Sequence, residues 1–369
     1  MAPGSVVFGL TVPMSLSLLG HRMAALADLG WRVHVVIGEP VPPEYTPDPR
    51  VTVHLIPTSR EVSPIADARC LREWTRLLKS LSPTMVIGAT PKAAFIAMLA
   101  ARRAQVPIRV LESWGARWDG DSGPRALLVR QADRLAARCA TVTIAVSDSL
   151  ADLLVSSGVC RQRPTVLGFG GTKGVDLARF TPATQERTGP PVVGFVGRLA
   201  ADKGINDLRT VMELVRTTVP DARLEYAGAQ DSADPIDPAT SGWLHHDLRN
   251  HGVGQVVDVP GYLQGIDVMC FPSHREGLPN AVIEAAACAV PVVAWDVTGV
   301  RDAVADGVTG FLVAPGDHAA MAARVLQLLQ DPDLRATMGV AARARAAERF
   351  DAVAVQRAFI AFITGLVPG

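Results

Sequence analysis

The sequence is short of several things, and each shortage removes a class of protein. It has five cysteines, Cys70, Cys139, Cys160, Cys270 and Cys288, widely spaced and without a Cys-x-x-Cys pair. Zinc-ribbon and dithiol redox chemistry are therefore not indicated, and the cysteines read as small core residues in a reducing compartment. No uninterrupted apolar run approaches the ~18 residues of a bilayer-spanning helix. The apolar stretch Ser5–Leu19 has no basic lead-in and contains Pro13, so it reads as the start of a fold and not as a secretory signal. There are no repeats and no low-complexity tracts. Net charge is also missing: 36 Lys+Arg balance 36 Asp+Glu, which leaves no overall footprint for nucleic acid.

What is present is a long, well-cored chain. Its 369 residues are 49% apolar and 20% charged. A chain of this length usually divides between two cores. The neutral total hides an asymmetry. Residues 1–170 hold 19 Lys+Arg against 13 Asp+Glu, and the remainder holds 17 against 23. A basic first half suits an anionic acceptor or membrane surface. It is equally the composition of an Arg-rich soluble domain.

The pattern along the chain is strand, loop, helix, strand. Val6–Leu10 is apolar and β-branched, as a strand buried on both faces must be. Ser15 to Leu29 has helical spacing and stops at Gly30, and Trp31–Ile37 is the next strand. The alternation continues through Val51–Ile56, Ala68–Leu81, Met85–Gly88, Ala93–Ala104, Ile108–Glu112, Ala126–Cys139 and Thr141–Val146. It pauses over Gly168–Gly174 and Thr181–Pro191, then restarts at Val192–Val196. This predicts an α/β protein of two doubly wound Rossmann-like domains facing an inter-domain cleft, with ligands at the carboxyl edges of the strands. The expected domains are residues 1–175 and 190–350, linked near 175–190. A final helix in 351–369 is expected to pack back on the first domain.

Two segments of the second half carry chemistry. In the first, a strand ends at Gly197 and is followed by Arg198 and Lys203 at the carboxyl edge of the sheet. Two cations there suit a diphosphate, and an Arg can grip it in a fork. The second runs from Pro272 to Glu284. It places Glu276 before a Gly277-Leu278-Pro279-Asn280 turn, and Glu284 in the helix that Pro279 or Asn280 should begin. Free amides at that helix start attract anions, and carboxylates beside them can accept the hydroxyls of a sugar. Taken singly, Glu276 reads as a surface-loop acid and Glu284 as a residue that complements the helix dipole.

Together, Gly197-Arg198-Leu199 with Asp202-Lys203-Gly204, and Glu276-Gly277-Leu278-Pro279-Asn280 with Glu284, resemble the retaining glycosyltransferase family 4, of GT-B fold. The resemblance extends over almost the whole chain. Thr90-Pro91-Lys92-Ala93, Gly174-Val175-Asp176 and Asp306-Gly307-Val308-Thr309-Gly310 also resemble family segments. The likeness points to bacterial enzymes of surface-polysaccharide and lipid-linked oligosaccharide assembly. It implies that Arg198 and Lys203 hold and stabilise the leaving diphosphate, that Glu284 binds ribose and Glu276 the donor sugar, and that amides of Gly277 to Asn280 cradle phosphate. Arg198, Lys203 and Glu276 are then the catalytic set. The resemblance also implies retention at the anomeric carbon, a nucleotide-sugar substrate such as a UDP-hexose or UDP-N-acetylhexosamine, no cofactor and no required metal. A sugar-nucleotide epimerase of similar architecture and a non-catalytic nucleotide-sugar binder stay open beside it.

In three places the chain departs from the family pattern. The segment between Gly254 and Asp267 reads as shortened, which bears on base recognition. Trp114-Gly115 stands where relatives carry His-Gly or Arg-Gly, and Ala89 replaces a polar residue. The acceptor can thus be a glycan, a lipid-linked sugar or a small natural product. Its expected contacts are Ser15, Lys92, Trp114 and Arg117, although Ser15 also reads as a helix cap and Lys92 as a solvated surface charge. The helix bearing Leu71, Trp74, Leu77, Leu78 and Leu81 with Arg69, Arg72, Arg76 and Lys79 reads either as a membrane-facing surface or as an ordinary helix with its apolar side inward. The expected location is cytoplasmic, with peripheral contact at the inner membrane face through the N-terminal domain.

Overall fold

The structure, a computed structural model, describes residues 4–58, 63–185 and 187–367. The chain divides into two compact units. Unit 1 runs to Lys173 and resumes at Val353, and unit 2 is Gly174–Ala352.

Unit 1 consists of β1 (Ser5–Leu10), α1 (Ser15–Leu18), α2 (Arg22–Asp28), β2 (Arg32–Ile37), β3 (Thr52–Leu55), α3 (Pro64–Leu81), β4 (Met85–Gly88), α4 (Pro91–Arg103), β5 (Ile108–Ser113), α5 (Pro124–Cys139), β6 (Val142–Ala145), α6 (Asp148–Ser156) and β7 (Thr165–Val166). Its seven strands lie in the order β3-β2-β1-β4-β5-β6-β7, and every pair is parallel. Side chains alternate across such a sheet. Val6, Phe8 and Leu10 therefore pack on one face with Met23 and Leu26 of α2, while Val7 packs on the other with Cys70, Trp74 and Leu78 of α3. Prolines open α3, α4 and α5 at their first turns, where no intrahelical donor is lost.

Unit 2 consists of β8 (Val192–Val196), α7 (Ile205–Thr218), β9 (Arg223–Ala227), α8 (Pro238–His246), β10 (Asn250–Gly254), α9 (Val259–Gln264), β11 (Val268–Phe271), α10 (Asn280–Ala287), β12 (Val292–Trp295), α11 (Val300–Ala303), β13 (Gly310–Val313), α12 (His318–Gln330) and α13 (Pro332–Arg349). Its parallel sheet runs β10-β9-β8-β11-β12-β13. The last helix, α14 (Ala352–Gly365), returns to unit 1, where Phe359 and Ile363 join the core face of Val6 and Phe8.

Several expectations change. The segment 15–29 is two helices and not one, because the chain turns at Gly20 with φ +55°. Ser15 does not cap α1: the capping position is Met14, and Ser15 is the buried first residue of the helix. Leu78 and Trp74 of α3 are buried in the core of unit 1, while Arg69, Arg72, Arg76 and Lys79 are exposed. The apolar side of that helix is therefore taken up by its own domain. Ahead of Asp267 the structure forms a strand where none was expected. It is β10, which ends at Gly254 and pairs with β9. The crossover between units lies at Lys173–Gly174, ahead of the proline-containing stretch 181–191. That stretch belongs to unit 2, where Arg187 bonds Asp267 at 2.7 Å; Glu186 within it is outside the described residues. All five cysteines are buried and free. Among the described residues no helix is long and apolar enough to cross a membrane.

Candidate functional site

In unit 2, two segments meet at the carboxyl edges of adjacent strands β8 and β11. After β8 come Gly197 and the exposed Arg198, then a single 3-10 turn, Ala201–Lys203. Gly204 ends that turn at φ +70°, and a Cβ there would stand 1.9 Å from the carbonyl oxygen of Pro272. Only glycine allows this approach, and it brings Lys203 beside the loop that follows β11. Lys203 Nζ lies 2.6 Å from Glu276 Oε1. The buried Ser273 hydroxyl donates to the same oxygen at 2.8 Å. The His274 amide donates to the Asp202 carbonyl at 3.0 Å. The loop that carries Glu276 is thus tied to the turn that carries Lys203 by side chain and backbone together.

Arg198 is held in a fork of acids. Its guanidinium bonds Asp202 at 3.1 Å and also Asp231. Burial opposes the arginine's charge, but the two carboxylates outweigh it and raise its pKa. Asp202 is likewise partly buried, which favours its neutral form, yet Arg198, Lys203 and Arg275 lower its pKa. Arg198 and Asp202 thus hold each other in the ionised form, with positive and negative groups interleaved.

The turn after Glu276 is packed from below. Gly277, Leu278 and Pro279 are buried, and Gly299 passes so close that a Cβ on it would lie 2.2 Å from the Gly277 carbonyl oxygen. Pro279 occupies the capping position of α10, with Asn280 as the first helical residue. Glu284 is the fifth, one step beyond the first turn, and is 8% exposed.

The expected acceptor residues lie in unit 1. Thr11 and Thr90 link the carboxyl ends of β1 and β4 with their hydroxyls 2.7 Å apart. Lys92 is not a solvated charge: it is ion-paired with Asp67 of α3 at 2.7 Å. Trp114 is half-buried against the core face that α14 covers, and its indole N–H is buried with no hydrogen-bond partner among the described residues. Arg117 is exposed in a loop anchored by Trp118, whose indole donates to Asp133 at 2.8 Å. Sequence reading passed over the pair Arg22 and Glu112, bonded at 2.7 Å and each 2% exposed. It also passed over Asp207, His274 and His318 in unit 2. Their partners are 67 and 111 residues apart in sequence, so no local spacing signals them.

The chain matches two family models. Residues 178–345 match glycosyl transferases group 1, and residues 19–170 match the glycosyl transferase 4-like domain. It is 30% identical over 349 residues to the capsular polysaccharide biosynthesis glycosyltransferase CapM of Staphylococcus aureus, covering 92% of this chain and 91% of that protein. It is 24% identical over 303 residues to a Campylobacter jejuni enzyme, N,N'-diacetylbacillosaminyl-diphospho-undecaprenol alpha-1,3-N-acetylgalactosaminyltransferase, covering 76% and 77%. Among solved structures, Anabaena HepE in complex with UDP and glucose superposes with a TM-score of 0.80 at 18% identity, over 98% of this chain and 99% of that one. The paired parallel sheets, the two matched models and the near-full-length relative agree: the chain belongs to the family 4, group 1 glycosyltransferases of GT-B fold.

Proposed function

We propose that this glycosyltransferase moves a hexose or N-acetylhexosamine, with retention of configuration, from a UDP-sugar to a hydroxyl of a glycan, lipid-linked or small-molecule acceptor. The observation that carries the reading is the contact of Lys203 with Glu276, beside Arg198, at one carboxyl edge of unit 2. A nucleoside diphosphate brought there finds two cations for its oxygens and the amides of Gly277 to Asn280 at the start of α10. Glu284 is assigned to the ribose and Glu276 to the hydroxyls of the transferred sugar. That UDP and glucose share a complex with the structurally similar HepE supports the uridine donor. The names of CapM and the Campylobacter enzyme support a polysaccharide or lipid-linked acceptor.

In the reaction the acceptor oxygen forms a bond to the anomeric carbon on the face from which the diphosphate leaves. The bond from that carbon to the diphosphate oxygen breaks, and the departing diphosphate takes the acceptor's proton. Charge grows on the leaving group, and in this reading Arg198 and Lys203 receive it and no metal ion is required. Such preorganised charge commonly supplies the largest share of catalysis.

The test is thermal stabilisation of the full chain by UDP, GDP, dTDP and ADP, each with and without magnesium, for the wild type and Lys203→Ala. Ligand at ~100 times its dissociation constant should stabilise by roughly 2.7 kcal/mol. UDP is expected to raise the melting temperature equally with and without magnesium, and Lys203→Ala to lose most of the gain. A shift that needs magnesium, or one that is intact in Lys203→Ala, overturns the diphosphate assignment.

A further inference from the structure

Asp207 stands in the first turn of α7, where an acid would ordinarily serve the helix dipole. Here both carboxylate oxygens are taken by imidazoles. Asp207 Oδ2 lies 2.8 Å from His274 Nε2, and Oδ1 lies 2.6 Å from His318 Nε2. The two histidines come from different connections. His274 is two residues from Glu276 in the loop after β11, and His318 opens α12 after β13. Neither is needed to end a helix: the α12 amide is capped by Asp317, which accepts from Ala320 at 2.9 Å. The rings of Trp295 and His318 meet in a T-shaped contact, with centroids 5.8 Å apart.

We propose that Asp207, His274 and His318 form a carboxylate-bridged clamp that positions the 272–279 loop, and with it Glu276, for the sugar of the donor. The proposal rests on the reading of this site as the donor site. These are positioning residues that act through Glu276. The clamp joins three carboxyl-edge segments of unit 2, two of which the His274 amide and Asp202 carbonyl also join, and its Asp207 stands close after Lys203 in the chain.

The groups around the clamp make it sensitive to pH. The bond to Asp207 raises the His274 pKa; burial and Arg275 oppose this, and Asp202 adds to it. Asp207 is partly buried, which favours its neutral form, but the two histidines lower its pKa. Cys270, on β11 behind Asp207, is fully buried and is kept a thiol. Lys203 and Glu276 neutralise each other nearby. A raised histidine pKa contributes stability that is complete below its ordinary value of about 6.5 and fades as the pH rises through the raised value. The lowered Asp207 pKa contributes above the ordinary carboxylate range and fades as the pH falls through the lowered value. The clamp is therefore tightest from about pH 4 to about pH 6.5 and loosens on the alkaline side.

The experiment compares wild type, Asp207→Ala, His274→Gln and His318→Gln. The first readout needs no ligand: the melting temperature from pH 5 to pH 9. Wild type should exceed His274→Gln near pH 6, and the gap should close by pH 9; a gap constant with pH overturns the clamp. The second readout is kinetic, with UDP-glucose as the donor probe and UDP as product probe. Asp207→Ala should raise the donor KM about threefold to tenfold, the scale of losing one ordinary net hydrogen bond. UDP affinity and acceptor KM should change less than twofold. The ratio of wild-type to His274→Gln kcat/KM should fall as the pH rises. An unchanged donor KM in Asp207→Ala, against a working wild type, also overturns the clamp. A wild type that neither binds UDP nor turns over UDP-glucose refutes the donor assignment instead, and leaves the melting comparison to decide the clamp.

Discussion

Asp133 sits on α5 against the indole of Trp118, and burial pushes its pKa up to about 6, against the hydrogen bond from Trp118 and the charge of Arg117. A raised carboxyl pKa means that its contribution to folding is complete below the ordinary value of about 3.8 and is lost as the pH rises through about 6. Asp133→Asn keeps an acceptor for the indole and removes the titration. It should melt a few °C above wild type at pH 8, equivalent to about 2 kcal/mol, and coincide with it below pH 4. Calorimetry across that range decides the matter, and a gain that does not vary with pH refutes the account. Lys203 and Glu276 were legible as residues because each stands beside a glycine turn at a predicted strand end. Asp133, Asp207 and the Arg22–Glu112 pair were not. Their meaning comes from partners that arrive from distant elements.

At the scale of elements, the close pass of Gly204 under Pro272 sets the distance between the Lys203 turn and the Glu276 loop. Gly204→Ala must both occupy a left-handed backbone at φ +70° and displace a carbonyl. It is expected to cost about 2–4 kcal/mol. It should also weaken nucleotide stabilisation more than a surface mutation of equal cost would; thermal melts with and without UDP measure both, and wild-type nucleotide response would refute the geometric role. Most strands and long helices were readable from periodicity. β10 was not. Its residues Asn250, His251, Gly252, Val253 and Gly254 carry little β-propensity, and the strand lies at the edge of its sheet with most side chains exposed. The single helix expected over 15–29 failed for a related reason: its apolar period runs through Gly20, whose left-handed turn is invisible to periodicity.

At the scale of the whole molecule, the chain enters unit 2 at Gly174 and leaves it at Ala352 with the two passages bonded together. The Val175 amide donates to the Phe350 carbonyl at 2.8 Å, and the Ala352 amide to the Val175 carbonyl at 3.0 Å. α14 then completes unit 1: Phe359 and Ile363 are fully buried, and Phe359 lies under the Arg22 guanidinium at 4.1 Å. Each such apolar side chain is worth about 1.5–3 kcal/mol, and Arg22 is half of a buried ion pair that tolerates no loss of cover. Removing residues 353–369 should therefore make unit 1 sensitive to limited proteolysis while unit 2 stays resistant; equal resistance of both units would refute the role of α14. By itself the sequence determined the alternation of strand and helix, the restart that makes two sheets, and the glycine-bounded cations and acids of the two segments that follow β8 and β11. These follow from local periodicity and from turns that only certain residues can make. The tertiary structure alone decided which acids hold Arg198, that Lys203 reaches Glu276, and that two distant histidines share Asp207. Those facts depend on which strand edges lie side by side, and side-chain partners separated by 67 to 111 residues leave no periodic trace in the chain.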